Sequence, residues 1–291
     1  DYLRENNIEW TEDPSNKHLN HDRNFVRHQV IPLLEQRWPE VNQRLLLTLH
    51  AMTDARHLLE ALADDYLRLN HPHTWVLKIT PKCLSNPQLT KLVIRRWIKL
   101  SGTTGIPAYT LDTLCEQLQV TGSDHKVAVR WGNWSLHWYR SHLWLQEAQA
   151  VPPCPTAKWA KGTTDIDLGQ GIGRLELEKS GRSIDRPRSP ADGLPGSGLT
   201  VGARSNTQES VIRLGGHHKS LKNLFQSADI PPWLRDSIPL CMLNGEIVSI
   251  GDWCLNEDFA RWLTENDMSL SWRPEHPLLK FILQQQHQVK G

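Results

Sequence analysis

The segment LGGHHKSLKNLFQSADIPPWLRDSIPL, residues 214–240, places two adjacent histidines, two lysines and an arginine around a short apolar run. The apolar residues recur at helical spacing, which predicts one helix over residues 218–228 with its apolar side on the core. Pro231 and Pro232 follow, and because proline fixes the backbone they predict a rigid elbow. The segment therefore predicts a positively charged surface that the chain holds in a fixed place.

Strand patterns surround this segment. Alternating stretches at residues 164–179, 199–205 and 210–216 predict short strands, and residues 238–255 predict a hairpin that turns at Asn244–Gly245. The first stretch contains the motif GQGIG, but the spacing is not that of a dinucleotide loop and no helix follows. The motif therefore predicts a turn between two strands.

The N-terminal half has the periodicity of helices. Residues 41–68 predict one long helix, in which Leu45, Met52, Leu59 and Tyr66 recur every seven residues. Such a stripe is typical of a packing face, and we give it no role in ligand binding.

Further patterns complete the organisation of the chain. Helices are predicted at residues 86–101 and 109–120, a strand at residues 75–79, and a hairpin with a Gly-Asn turn at residues 126–146. A proline-rich stretch then predicts a semi-rigid linker. The expected divisions are residues 1–40, a mostly helical domain at 41–147, the linker at 148–155, and a small α+β domain at 156–285.

Composition narrows the class of protein. The 291 residues carry a net charge of +1, with 38% hydrophobic and 22% charged residues, which is typical of folded domains. The five scattered cysteines form no CxxC pair, so neither a disulfide framework nor a zinc ribbon is predicted. No stretch has the length of a membrane-spanning helix, so a cytoplasmic protein with reduced thiols and no membrane partner is expected.

Because the net charge is small, affinity for nucleic acid must come from local basic clusters. Three separated clusters favour a long polyanion contacted at several points, and no helix-turn-helix or zinc-finger spacing favours DNA. The candidate contact residues are Lys91, Arg95, Arg96 and Lys99 on the helix at 86–101, His217, His218, Lys219, Lys222 and Arg235 in the opening segment, and the basic stretch at residues 17–28. Solvated charged faces would show the same patterns.

Metal binding is not favoured by the histidines. His217 and His218 are adjacent, and on a helix adjacent side chains diverge. His71 and His73 flank a proline in a loop, and HExxH does not occur. We therefore predict no metal site.

Three stretches resemble one enzyme family. DPSNKHLNHDRNFVRHQVIPLLEQRWP resembles the segment that closes the catalytic domain of the bacterial tRNA(Ile)-lysidine synthetases. LTKLVIRRWIKLSGTTGIPAYTLDTLCEQL is similar to the helical substrate-binding domain of that family, and GGHHKSLKNLFQSADIPPWLRDSIPL with NGEIVSIGDW is similar to its C-terminal domain. The resemblance covers nearly the whole chain, in the order of the family.

The resemblance implies an α/β multidomain fold: the end of a Rossmann-like PP-loop ATPase domain, then a mostly helical substrate-binding domain, then a small α+β domain. It implies an ATP-dependent ligase that uses ATP with Mg²⁺ to adenylate C2 of the cytidine at the first anticodon position of tRNA(Ile) with a CAU anticodon. The amine of L-lysine then displaces AMP to give lysidine. The positions that match the catalytic segment, and would lie near the cleft, are Asn16, Arg23, Asn24 and Arg27.

The chain departs from the family pattern at the ATP loop. The string SGGxDS that the family carries does not occur, so we expect this chain to supply mainly the tRNA-recognition domains, to bind no ATP and to form no lysidine by itself. A homodimer is compatible with the resemblance. The alternatives from other classes are a non-catalytic RNA-binding protein that uses the same basic faces, and a protein-interaction module anchored by the 13 tryptophans.

Overall fold

The computed structural model describes residues 5–6, 19–120, 127–147, 151–160, 162–169, 171–179, 199–208 and 210–288. The chain divides into two compact units, residues 1–65 and 66–291, which are described separately. The Gly/Pro-rich stretch at 180–198 and the DPSNK motif with Asn16 lie outside the described residues. Within the described residues, no helix combines the length and apolar character that crossing a bilayer requires.

The first unit is helical. It contains α1 (Asp22–Phe25), a π-helical turn (Val26–Val30), α2 (Ile31–Arg37) and most of α3 (Val41–Asn70). Pro32 lies in the first turn of α2, where its missing N–H is tolerated.

The predicted packing stripe of α3 is exposed. Leu45, Met52 and Leu59 lie on one face as predicted, but their exposed fractions are 50%, 65% and 49%. The prediction that they pack is therefore wrong for the described chain, because heptad spacing shows which side chains share a face and not whether anything covers it. Tyr66, the last residue of the stripe, is half-buried, and its hydroxyl accepts a hydrogen bond from the Thr80 N–H over 2.9 Å.

The second unit begins with a helical layer on a small sheet. After β1 (Val76–Lys78) come α4 (Pro81–Leu84), α5 (Pro87–Leu100) and α6 (Ala108–Val120), and the chain then forms β2 (Ala128–Trp131), β3 (Trp134–Tyr139) and β4 (His142–Glu147). The strand order is β1-β4-β3-β2, and every pair is antiparallel. Trp131 pairs with Trp134 across the two-residue turn, which confirms the predicted hairpin.

The rest of the second unit is mainly sheet. Its strands are β5 (Ala157–Trp159), β6 (Asp165–Asp167), β7 (Arg174–Lys179), β8 (Leu199–Gly202), β9 (Val211–Leu214), β10 (His217–Ser220), β11 (Leu240–Leu243), β12 (Glu246–Ile250), β13 (Cys254–Leu255) and β14 (Met268–Arg273). One sheet has the order β10-β9-β12-β11-β8-β5 with β13 beside β12, and the other has the order β14-β7-β6. The predicted turn at Asn244–Gly245 is confirmed, since both residues have positive φ.

The α-helices that accompany these sheets in the described residues are α7 (Leu221–Ser227), α8 (Glu257–Glu265) and α9 (Pro277–Gln288). The predicted helix over residues 218–228 is therefore wrong at its beginning. Gly215 and Gly216 have φ of 60° and 73°, which gives a tight hairpin turn and places the next four residues in β10. The helix begins only at Leu221, which is buried together with Phe225 as predicted.

The β1–β4 sheet and the large sheet share one core. Val76 and Trp144 belong to the same buried cluster as Trp159 and Phe281. The described part of the predicted linker is anchored to the large-sheet region, since Ser237 Oγ donates to the Pro152 carbonyl oxygen over 2.8 Å. The helical layer and the β9–β10 hairpin therefore belong to one packed body.

Candidate nucleic-acid interface

The β9–β10 hairpin sorts the predicted basic residues onto two faces. His218 pairs with Arg213 across the strands, while Lys219 pairs with Ile212. Because side chains alternate along a strand, His218 and Arg213 share one face, and His217 and Lys219 share the other. The single basic helix face that the sequence predicted does not exist here, although His217, His218 and Lys219 are all exposed.

Lys222 follows directly on α7. Ser220 caps this helix, since its hydroxyl accepts a hydrogen bond from the Asn223 N–H over 3.2 Å. Leu221 and Phe225 are buried, whereas Lys222 and Asn223 are exposed. The cap therefore stabilises the first turn of α7, which contains Lys222, three residues after Lys219.

Two carboxylates lie on the Arg213 side of the hairpin. A cleft of about 240 Å³ is lined there by Arg213 and His218, and also by Glu246 and Asp258. Glu246 begins β12, and Asp258 lies in the first turn of α8. These acids reduce the positive potential on this face. The sequence pattern missed them because they join the hairpin only through sheet pairing and the placement of α8.

Arg235 is not on the surface. It lies in a 3₁₀ turn (Pro232–Ser237) with 7% of its surface exposed, and its Nε donates to the Ile230 carbonyl oxygen over 3.1 Å. Burial lowers the pKa of its guanidinium, and interaction with Tyr139 opposes that shift. The prediction that Arg235 faces a phosphate is therefore wrong, because the prolines that stiffen the elbow also turn the residue into the core.

Helix α5 carries the second predicted set. Lys91 is half-buried and its Nζ lies 2.6 Å from Asp112 of α6, so a hydrogen bond to that carboxylate raises the pKa of the ammonium. Arg95 and Lys99 are exposed, and Arg96 is half-buried. Of the four basic residues predicted on α5, Arg95 and Lys99 are therefore the exposed ones, so the exposed basic surface is smaller than the spacing indicated.

The cleft residues predicted from the resemblance lie in the first unit. Arg23 is in α1 and Arg27 is in the π-helical turn, and both side chains are exposed, while Asn24 is half-buried. Asn16 is outside the described residues.

The described residues hold no cluster of three or more metal-binding side chains. All five cysteines are free thiols, and burial raises the pKa of Cys154 to about 12 and that of Cys241 to about 11. Such thiols are poor nucleophiles, so the buried cysteines contribute to packing.

Comparison with known proteins gives three matches in order along the chain. Residues 1–34 match the PP-loop domain, residues 86–144 match the TilS substrate binding domain, and residues 199–286 match the TilS substrate C-terminal domain.

Whole proteins named tRNA(Ile)-lysidine synthase are also similar. That of Methylococcus capsulatus is 31% identical over 94% of this chain and 62% of its own length. That of Alkalilimnicola ehrlichii is 31% identical over 84% of this chain and 53% of its own length, and that of Xylella fastidiosa Temecula1 is 30% identical over 94% and 61%. The chain thus spans less than two thirds of the length of these relatives. The three domain matches follow one another along the chain, and its similarity to these tRNA(Ile)-lysidine synthases extends over 84–94% of its length.

Proposed function

We propose that this chain supplies tRNA-binding surfaces to a cytoplasmic, ATP-dependent ligase that attaches L-lysine to the first anticodon cytidine of tRNA(Ile) with a CAU anticodon. In this reaction ATP with Mg²⁺ adenylates the oxygen on C2 of the base with release of pyrophosphate, and the lysine amine then attacks C2 and displaces AMP. The names of the relatives and the domain matches support the proposal. A homodimer is compatible with it.

The roles proposed for the segments of the chain follow the predicted domain boundaries. Residues 1–40 end the ATPase domain, residues 41–147 form the helical substrate-binding domain, residues 148–155 are the linker, and residues 156–285 form the C-terminal domain. Asn16, Arg23, Asn24 and Arg27 are assigned to the catalytic cleft, whereas the predicted contact residues of α5 and of the stretch 217–222 are assigned to tRNA. Their phosphate contacts position the substrate without reading its bases.

The observation that carries the tRNA assignment is the β9–β10 hairpin with its neighbour Lys222. The exposed side chains of His217, Lys219 and Lys222 lie within six consecutive residues. Buried Ile212, Leu221 and Phe225 hold the strand and helix beneath them in place. A rigid basic surface of this kind binds phosphates with little ordering cost.

Two experiments test the proposal. Filter binding of an unmodified tRNA(Ile) transcript to this chain should weaken steeply as salt rises; binding that salt leaves unchanged would favour a protein-interaction module.

In the lysidine-forming enzyme that contains this chain, Arg23→Ala should lower turnover with little change in melting temperature, with Arg44→Ala as the matched control. Normal turnover together with a large fall in melting temperature would make Arg23 a structural residue instead.

A further inference from the structure

A cavity of about 220 Å³ lies in the second unit, between the β1–β4 sheet and the C-terminal half, and is called the seam cavity here. Three regions of the chain line it: the sheet, the residues at and just after the end of α7, and one side of α9. The lining residues are Val76, Tyr139, Arg140, His142, Trp144, Ser227, Ala228, Asp229, Phe281, Ile282, Gln285 and Gln286. None of the basic residues assigned above is among them.

The walls of the seam cavity are held in place. Arg140 and Asp229 form an ion pair between the turn after β3 and the turn after α7, and both have positive φ, 46° and 54°. Gln286 Nε2 donates to the Ala228 carbonyl oxygen over 2.9 Å, which ties α9 to the end of α7. The cavity is therefore preformed and needs no large rearrangement to accept a ligand.

The floor is apolar and includes an aromatic ring pair. Val76, Trp144, Phe281 and Ile282 are at most 9% exposed, and the rings of Trp144 and Phe281 lie 6.0 Å apart. A ligand with a flat apolar face would pack on such a floor.

The rim is polar but carries little net charge. Asp229 neutralises the guanidinium of Arg140. His142 Nδ1 lies 2.7 Å from the Arg140 carbonyl oxygen, and burial lowers the pKa of the ring. The neutral tautomer therefore donates from Nδ1 and leaves Nε2 as an acceptor, while Gln285 adds an exposed amide with both a donor and an acceptor.

These properties exclude two kinds of occupant and favour a third. A phosphate gains little where the arginine is already neutralised, and a hydrocarbon ring leaves the polar rim without partners. A nucleobase has a flat apolar face and an edge of donors and acceptors, and unpaired RNA bases are commonly held on aromatic floors. We propose that the seam cavity binds one unstacked nucleobase of a single-stranded RNA segment, a proposal that rests on the proposed tRNA-binding function.

Methyl NMR of this chain tests the proposal directly. Nucleosides and single-stranded tetranucleotides of each base are titrated into isoleucine-methyl-labelled protein, and the Ile282 signal is assigned with Ile282→Val. A bound base should shift the Ile282 methyl through its ring current and leave Ile98, in the core of the helical layer, unchanged.

Two variants on one helix provide a matched pair. Gln285 and Gln284 are both exposed on α9, but only Gln285 lines the cavity. Gln285→Trp should fill the cavity and weaken tetranucleotide binding about 5- to 150-fold, the range expected for loss of one stacked base. Gln284→Trp should bind like the unaltered chain.

The outcomes separate this proposal from the tRNA proposal. The proposal fails if no nucleoside or tetranucleotide shifts Ile282, if Gln285→Trp binds as well as Gln284→Trp, or if N-acetyltryptophanamide is the only probe that binds, which would indicate a protein side chain as ligand. In each case the salt dependence of tRNA binding through Lys219 and Lys222 still tests the proposed function by itself. Binding of tRNA to the unaltered chain that does not depend on salt, with nucleoside binding retained, would contradict the basic surface and not the cavity.

Discussion

Arg235 and Ile230 are joined by a hydrogen bond from Nε to the carbonyl oxygen over 3.1 Å, inside a core where only 7% of the arginine is exposed. The guanidinium also lies 6.0 Å from the centre of the Phe225 ring. The arginine therefore links the turn after α7, the 3₁₀ turn and the aromatic core, and its part in the molecule is structural.

Arg235→Ala should accordingly lower the free energy of unfolding by about 2–3 kcal/mol, because a buried carbonyl loses a charged donor. Chemical denaturation measures this change. Arg95→Ala, on the exposed side of α5, should change stability by less than about 0.5 kcal/mol. A stable Arg235→Ala protein with weakened tRNA binding would show that the residue contacts the substrate after all.

Lys219→Ala combined with Lys222→Ala should reduce the magnitude of the salt-dependence slope of tRNA binding by nearly two, since each lysine that covers a phosphate contributes about one. The matched control replaces the exposed Lys158 and Lys280, which lie on β5 at the opposite edge of the sheet and on α9. Affinity should fall alike for all tRNAs. An unchanged slope in a folded double variant would make both lysines ordinary surface charges.

Glu246→Gln should strengthen tRNA binding severalfold at low salt, because it removes a negative charge from the cleft that holds Arg213 and His218. Electrophoretic mobility shift at two ionic strengths measures the effect, which high salt should diminish. Glu257→Gln, at the beginning of α8 but outside the lining of this cleft, is the control. Equal gains in both variants would indicate a general charge effect.

Gly173→Ala should lower stability by several kcal/mol. Gly173 has φ of 78°, and an added Cβ would overlap the backbone carbonyl oxygen of Arg273. Gly169 has φ of 56° with open space around it, so Gly169→Ala should cost only about 1–2 kcal/mol of left-handed strain. Thermal unfolding compares the two, and similar melting temperatures would contradict the close approach.

Stability should decrease as pH falls from about 7 to about 5.5. Burial lowers the pKa of His73, His137 and His276 below the ordinary value, with further lowering of His137 by Arg130 and of His73 by His71 and His276. The unfolded chain then binds more protons than the folded chain below about pH 6.5, so protonation favours unfolding. His137→Gln should flatten the dependence of melting temperature on pH, and an unaltered curve would rule out this histidine as a source.

Local patterns predicted most elements of the second unit. The turns at Gly132–Asn133 and Asn244–Gly245 were evident because particular residue types favour positive φ. The Gly215–Gly216 turn follows the same rule, yet the helical spacing of Leu221, Leu224 and Phe225 masked the strand before it. Strand β10 and helix α7 are short and adjacent, so the helical spacing of α7, the longer of the two, led the prediction to extend the helix into β10.

The candidate site was predicted less well, because exposure and charge balance depend on contacts distant in sequence. Lys91 meets Asp112 on the next helix, and Arg235 is enclosed by packing that its own segment does not show. The seam cavity combines residues from Val76 to Gln286, so no local motif could have indicated it.

The position of β10 at the end of its sheet has a consequence for solubility. Because β10 ends the order of the described strands, the backbone N–H and C=O groups on its outer side can pair with a strand of another molecule. Exposed edges of this kind promote aggregation. His217, His218 and Lys219 occupy three of the four positions of β10. The charge of Lys219 on so short a strand discourages another strand from adding to it, so a side chain assigned to phosphate contact also protects the protein against self-association before any RNA is bound.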